Sequence, residues 1–382
     1  MLARTRRVLN GPPEGPKPTL LVFGNEFDQR RLVRALASTG LLAGFNLVLQ
    51  VRAATVPLDP SLADLFRLAE LLVTDSAFGA AAVTHCCLEA GTRLRRPPVV
   101  IPAAIGWDPA RVDPRDRRAS LRRDSFGVGD DDLLIGCGVG GPADPRQSVA
   151  LQIFRIFADG LYWLCARCDF MTPFETDDGL RPIPVSTCAR CGVAEGHPGN
   201  RWPAARLFLA DRGAGAERGV QGGLGAWSVR DIRRWLGLEG RVLIEGDERL
   251  PRADSMATMM QRLSCLDVHL VPHHLADVEP ILLASCAIGV PAITTRFGSA
   301  QELLGRAARL VEPAVTLDDS SGHRTAIMDA AEGVRELRRL AQDAHVRAAL
   351  GASARAAMRA HDDTVVIPHW LEHLERLAEA VR

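Results

Sequence analysis

The sequence predicts an α/β protein built from two similar halves, with a small cysteine-rich insertion in the second. Three observations lead there. Short apolar runs alternate with segments of helical spacing from residue 19 onward, the pattern of a parallel sheet covered on both faces. The alternation halts in a stretch rich in Arg, Asp and Pro over residues 106–131, then begins again. Two Cys-x-x-Cys pairs interrupt the second series, inside a Pro-rich segment over residues 162–203. The length agrees, since 382 residues at roughly 150 per domain give two to three domains.

The elements follow in chain order. Residues 1–18 hold Gly, Pro and Arg without apolar periodicity and read as a flexible tail. The first domain is expected over 19–120. Residues 19–23 form a strand stopped by Gly24, 30–37 a helix, 45–51 a strand, 62–69 a helix and 71–74 a third strand. Ser76 is placed to cap the next helix. Val99, Val100 and Ile101 make a fourth strand, ended by Pro102. Arg115–Arg123 mixes Arg with Asp and reads as a solvated linker.

The second domain is expected over 121–363. Residues 133–137 form a strand leading into Gly138, Gly140 and Gly141, and 149–158 a helix. After the insertion, 206–210, 241–245, 268–271 and 292–295 supply further strands. A Gly-rich loop is expected over 211–226, and Ser228 opens a helix. Pro280 starts an apolar helix that Gly289 ends. Ser299 and Glu302 have the spacing of a capping box. Residues 324–361 are Ala- and Arg-rich and are expected to be helical, and 364–382 hold a last amphipathic helix.

Composition narrows the function classes. Lys plus Arg is 46 and Asp plus Glu is 46, so no net field favours nucleic acid or an anionic membrane. No apolar run reaches the ~18 residues a spanning helix needs. The basic N-terminus lacks the apolar core of a signal peptide before Pro12 and Pro13. A soluble cytoplasmic protein is expected.

The cysteines carry the sharpest local signal. Cys165-Ala-Arg-Cys168 and Cys188-Ala-Arg-Cys191 lie nineteen residues apart, the spacing of two zinc knuckles. Four thiolates make a closed tetrahedral site that stabilises a fold and leaves no open position for catalysis. The metal is therefore expected to be structural zinc, in a ribbon inserted in the second domain. His197 lies nearby as a loop residue, and the other five cysteines read as small core residues.

The stretch 266–304 carries a family resemblance. Leu266-Asp267-Val268-His269-Leu270-Val271-Pro272, Ala287-Ile288-Gly289-Val290-Pro291-Ala292-Ile293 and Phe297-Gly298-Ser299-Ala300-Gln301-Glu302-Leu303 match, in order and spacing, the nucleotide-sugar domain of GT-B glycosyltransferases of the retaining family-four type. Val99-Val100-Ile101-Pro102, residues 133–158 and residues 364–377 are similar to further parts of that family. The resemblance implies two Rossmann-like domains facing each other, a last helix that returns to the first domain, and metal-independent sugar transfer from a nucleotide-diphosphate sugar to an unknown acceptor. The first domain looks truncated, because only about eighty residues lead up to Val99.

By the same resemblance, the donor lies on the helix that starts at Pro280, against Ile281 and Ser285, with His273 on the loop before it. The family's two sugar- and ribose-contacting glutamates fall on Ala276 and Ala284. Asp277 and Glu279 stand near the first and are the candidate catalytic acids. Its diphosphate-binding Arg and Lys fall on Gly141 and Gln147, so Gly140, Gly141, Arg146 and Gln147 are donor-side candidates, with Arg146 as the cation. Asn25 and Glu26 follow the first strand and are acceptor-side candidates, beside their reading as turn and cap residues, and Arg52 is a third, on the loop after residues 45–51. No catalytic metal is expected. The missing glutamates leave a second possibility: a catalytically degenerate module that binds a protein partner through its zinc ribbon.

Overall fold

A computed structural model describes residues 17–23, 26–53, 56–105, 118–139, 145–176, 182–211, 229–247, 250–274, 279–318 and 324–379. The expected tail over 1–16, most of the linker, the Gly-rich loop with Ser228, and Gly24 lie outside the described residues.

The first sheet has four parallel strands, β1 (Thr19–Val22), β2 (Asn46–Val51), β3 (Leu71–Thr74) and β4 (Val99–Val100), in that spatial order. Helices α1 (Glu26–Ser38), α2 (Ala63–Leu68) and α3 (Ala77–Glu89) connect them. Leu47, Leu49 and Val51 of β2 pack with Val33, Phe66 and Val83 of the three helices. Val48, Leu71, Val73 and Ile101 point to the opposite face. A parallel sheet this apolar on both sides needs cover on both. Ser76 caps α3 as expected, its hydroxyl accepting from the Gly79 amide at 3.0 Å.

The second half opens with α4 (Arg118–Phe126), β5 (Leu134–Val139) and α5 (Pro145–Asp159). The arginine run is not a solvated linker. Arg122 is 1% exposed, and with Arg118 it grips Asp267 at 2.9 and 2.7 Å, while Asp267 also accepts the Leu134 amide. A buried guanidinium needs such a partner, and the pairing seats α4 at the amino edge of the sheet.

The cysteine segment contributes β6 (Tyr162–Cys165), β7 (Met171–Pro173), β8 (Glu175–Thr176), β9 (Pro182–Ile183) and β10 (Gly196–Pro198). Strands β10, β6 and β7 pair antiparallel in that order. Tyr162, Leu164 and Met171 belong to the main core of the second half, so the base of this small sheet is packed in.

The alternation resumes with β11 (Arg206–Asp211), α6 (Val229–Trp235), β12 (Val242–Ile244), α7 (Met256–Ser264) and β13 (Val268–Val271). Then come β14 (His273–His274), α8 (Pro280–Ala287), β15 (Ala292–Thr295), α9 (Ala300–Leu304) and β16 (Ala308–Val311). Six strands form one parallel sheet in the order β12-β11-β5-β13-β15-β16. Counted along the chain this is 3-2-1-4-5-6, the doubly wound order, and the winding reverses between β5 and β13. Gly136 permits that junction, since a Cβ there would lie 2.2 Å from Leu266 Cδ1.

Next come β17 (Pro313–Asp318), β18 (Arg324–Met328), α10 (Ala330–Gln342), α11 (Ala344–Ala357) and α12 (Asp363–Glu379). Residues 324–328 were expected to be helical and are instead a strand, antiparallel to both β17 and β14. Pairing on both sides overrides the helix propensity of this short stretch. Val366 and Leu377 of α12, with Trp370 and Leu374 beside them, complete the cluster of Val48, Leu71, Val73 and Ile101. The last helix thus covers the face of the first sheet opposite α1 to α3.

Candidate functional site

The winding reversal places β5 and β13 side by side, with the start of α8 at their carboxyl ends. That crevice is where open α/β sheets bind ligands. His269 on β13 lies at its base and is fully buried. Its Nε2 accepts the Gly138 amide at 3.2 Å, and its Nδ1 bonds the Ser285 hydroxyl of α8. Ser285 donates its own proton to the Ile281 carbonyl at 2.9 Å. Nδ1 is therefore the protonated nitrogen of a neutral imidazole, and burial pulls its pKa down to about 4. Gly138 lets α8 approach, because a Cβ there would meet Ile281 Cγ2 at 2.8 Å and Glu279 Oε2 at 3.4 Å.

Glu279 occupies the N-cap position of α8 without a side-chain cap bond, so its carboxylate stays over the end of β5. Its carbonyl accepts the amides of Leu282 at 3.0 Å and Leu283 at 3.2 Å. Pro280 has no N–H to give. Ile281 therefore holds the first-turn amide that remains for a ligand.

A cavity of about 100 Å³ separates the halves. Pro280, Ile281 and Ala284 form one wall and Met260 of α7 another, while Arg52, Ala103 and Ile105 face them from the first half. Arg52 Nε donates to Asp75 Oδ2 at 3.2 Å. Asp75 is 3% exposed, and its Oδ1 has no hydrogen-bond partner among the described residues. Burial raises its carboxyl pKa, against the pull of the Arg52 charge and its own amide.

The halves also touch directly. Glu302 on α9 accepts the Ala77 amide at 2.7 Å and the Phe78 amide at 2.9 Å, at the start of α3. It was expected to box with Ser299. Ser299 is in a helical conformation with no cap bond, and Glu302 caps a helix of the other half instead.

The candidate residues thus divide. Arg52, Pro280, Ile281 and, over β5, Glu279 converge on the crevice and its cavity. Ser285 is fully buried with its hydroxyl engaged on both sides, so it does not face the cleft. Asn25, Gly140, Gly141 and Asp277 lie outside the described residues, as do the side chains of Glu26, Arg146, Gln147 and His273. Their backbones begin α1 and α5 and form part of β14. Sequence reasoning missed His269, Asp75 and Glu302 as site residues. A polar residue inside or just after an apolar strand was the signal for the first two.

Cys165, Cys168, Cys188 and Cys191 converge, their sulfurs all within 4.8 Å of one another and three pairs at 3.6 Å. A tetrahedral ion with metal–sulfur bonds of ~2.3 Å has edges of ~3.8 Å, so the donor set fits a structural metal. The two knuckles share a backbone. Asp169 and Gly192, each just after its second cysteine, adopt φ of +52° and +69°. Their amides return to the carbonyls of Cys165 and Cys188 at 3.0 and 2.8 Å. Desolvation opposes ionisation of Cys188, but the amides of Cys191 and Arg190 and the neighbouring thiols outweigh it and lower its pKa to about 7.

No protein-family model matches the chain, and no curated protein sequence matches it. Solved structures do. HepE of Anabaena, in complex with UDP-glucose, is 16% identical with a TM-score of 0.59, over 91% of this chain and 77% of that one. Sucrose-phosphate synthase from Thermosynechococcus elongatus is 13% identical with a TM-score of 0.58, over 93% and 73%. The UDP-forming α,α-trehalose-phosphate synthase from Burkholderia vietnamiensis is 15% identical with a TM-score of 0.54, over 92% and 76%. Among the described residues no helix is long and apolar enough to cross a membrane. Two parallel sheets facing each other across a crevice, with a last helix crossing back, give this chain the fold of these GT-B glycosyltransferases.

Proposed function

We propose that the protein is a glycosyltransferase that moves a sugar from a nucleotide-diphosphate sugar to an acceptor hydroxyl. Residues 19–120 are its acceptor side and 121–363 its donor side. The observation that carries this reading is the Glu279 carboxylate standing at the winding reversal, over the end of β5 and at the start of α8. A carboxylate there can accept hydrogen bonds from sugar hydroxyls while the helix terminus favours the phosphates. The neighbour crystallised with UDP-glucose supports a donor of that class. In this reading Glu279 and Asp277 orient the sugar, Arg146 with Gly140 and Gly141 holds the diphosphate, and the four cysteines hold zinc.

The test is thermal-shift screening with UDP-, GDP-, ADP- and dTDP-sugars, since a ligand of the folded state raises its melting point. A donor should emerge, and Glu279→Gln should keep its binding while lowering transfer roughly ten- to hundredfold, the loss of one charged hydrogen bond. No response to any nucleotide at millimolar concentration would sink the transferase.

One observation favours the alternative, a degenerate GT-B module with a binding role. Among the described residues the cavity walls are apolar apart from Arg52, with Ala284 where the resemblance expects a ribose-contacting glutamate. Partner capture that depends on the ribbon, without nucleotide binding, would support it.

A further inference from the structure

Among the described residues, Arg52 is the one charged residue in the lining of the cavity between the halves. It stands just after β2, at the carboxyl edge of the first sheet, and Pro280, Ile281 and Ala284 of α8 line the same cavity from the second half. Its neighbour Asp75 follows β3 at the same edge. Asp75 is buried, accepts the Arg52 Nε–H at 3.2 Å, and leaves its other oxygen without a hydrogen-bond partner among the described residues. A buried carboxylate that accepts a guanidinium N–H is a fixed post for that guanidinium. A guanidinium does not lose its proton, so a permanent cation stands on the first-half side of a cavity whose other described lining residues are apolar.

We infer that Arg52 binds the diphosphate of the donor from the first half, and that Asp75 is its positioning residue. This rests on the donor site at α8 proposed above and adds to it. The donor is then held by both halves, so its affinity depends on their closure. Arg52 was an acceptor-side candidate by its place in the chain, and the shared cavity moves it toward the donor.

The experiment is calorimetry on the full chain with UDP, GDP, ADP and dTDP, each beside its own nucleoside. Wild-type protein should bind one diphosphate more tightly than its nucleoside. Arg52→Ala should cut the diphosphate affinity roughly ten- to hundredfold and leave the nucleoside affinity unchanged. Asp75→Asn keeps the size of the post and removes its charge. It should erode the same diphosphate increment and spare the nucleoside, whereas a merely structural role would lower both or neither. If Arg52→Ala folds poorly, Arg52→Gln replaces it, with the salt dependence of wild-type diphosphate affinity as a variant-free measure. A wild-type protein that binds a diphosphate as tightly as Arg52→Ala or Arg52→Gln overturns the inference and leaves the transferase standing. A wild-type protein that binds no diphosphate overturns both.

Discussion

His269 is a titratable group placed where its charged form has nowhere to go. One nitrogen accepts the Gly138 amide and the other faces Ser285, in a fully buried setting. The folded imidazole stays neutral down to about pH 4, while an ordinary one takes a proton near 6.5. Above pH 6.5 both states are neutral and this group makes no difference. Between 6.5 and 4 the unfolded chain binds the proton and the native one does not, so stability must fall as pH falls. The gap between 6.5 and about 4 is worth up to ~3–4 kcal/mol, at ~1.4 kcal/mol for each tenfold change in proton affinity. Urea unfolding across pH 4–7 should show this slope in wild type and a flatter one in His269→Gln. Equal slopes would mean that His269 is not held neutral.

The cysteine segment makes the corresponding point for an element. A ribbon hanging from a loop would unfold alone when its metal leaves. Here Tyr162, Leu164 and Met171 of β6 and β7 are core residues of the second half, and Asp169 beside the first knuckle pairs with Arg338 of α10 at 3.4 Å. A metal held by the four cysteines would therefore be coupled to the fold of the whole half. Purified protein should carry one zinc per chain by elemental analysis. Cys188→Ser should lose it and lower the main melting transition, rather than produce a separate early one. Reduced, freshly purified protein with no zinc would refute the metal reading.

The whole molecule is joined by contacts from opposite ends of the chain. Glu302 grips the Ala77 and Phe78 amides across 225 and 224 residues, and α12 closes the first sheet. A carboxylate at a helix N-terminus is favoured by both the free amides and the helix dipole. Removing it should loosen the approach of the halves while Ser76 still caps α3. Glu302→Ala should speed hydrogen exchange at Ala77 and Phe78 and weaken donor affinity, with the melting point nearly unchanged. Glu302→Gln, which keeps an acceptor oxygen, should fall between. Unchanged exchange at both amides would show that Glu302 does not join the halves in solution.

The sequence by itself determined the strands and the cluster of four cysteines. Apolar runs such as 268–271 and 292–295 are local signals of a doubly buried sheet, and the two knuckles are fixed by spacing within a few residues. The start of α8 was equally legible, because Pro280 and Gly289 mark its ends by backbone chemistry alone. Tertiary structure decided the rest. Asp267 looked like one more acid until Arg118 and Arg122, some 145 residues earlier, gripped it. Residues 324–328 had helical composition, but β14 and β17 offered backbone partners on both sides. Ser299 and Glu302 had the spacing of a local cap, yet an exposed side chain bonds whichever free amides lie within reach, and those belonged to α3. Local propensity depends on neighbours in sequence, whereas the partner of a buried charge or a free amide depends on what the fold brings alongside it.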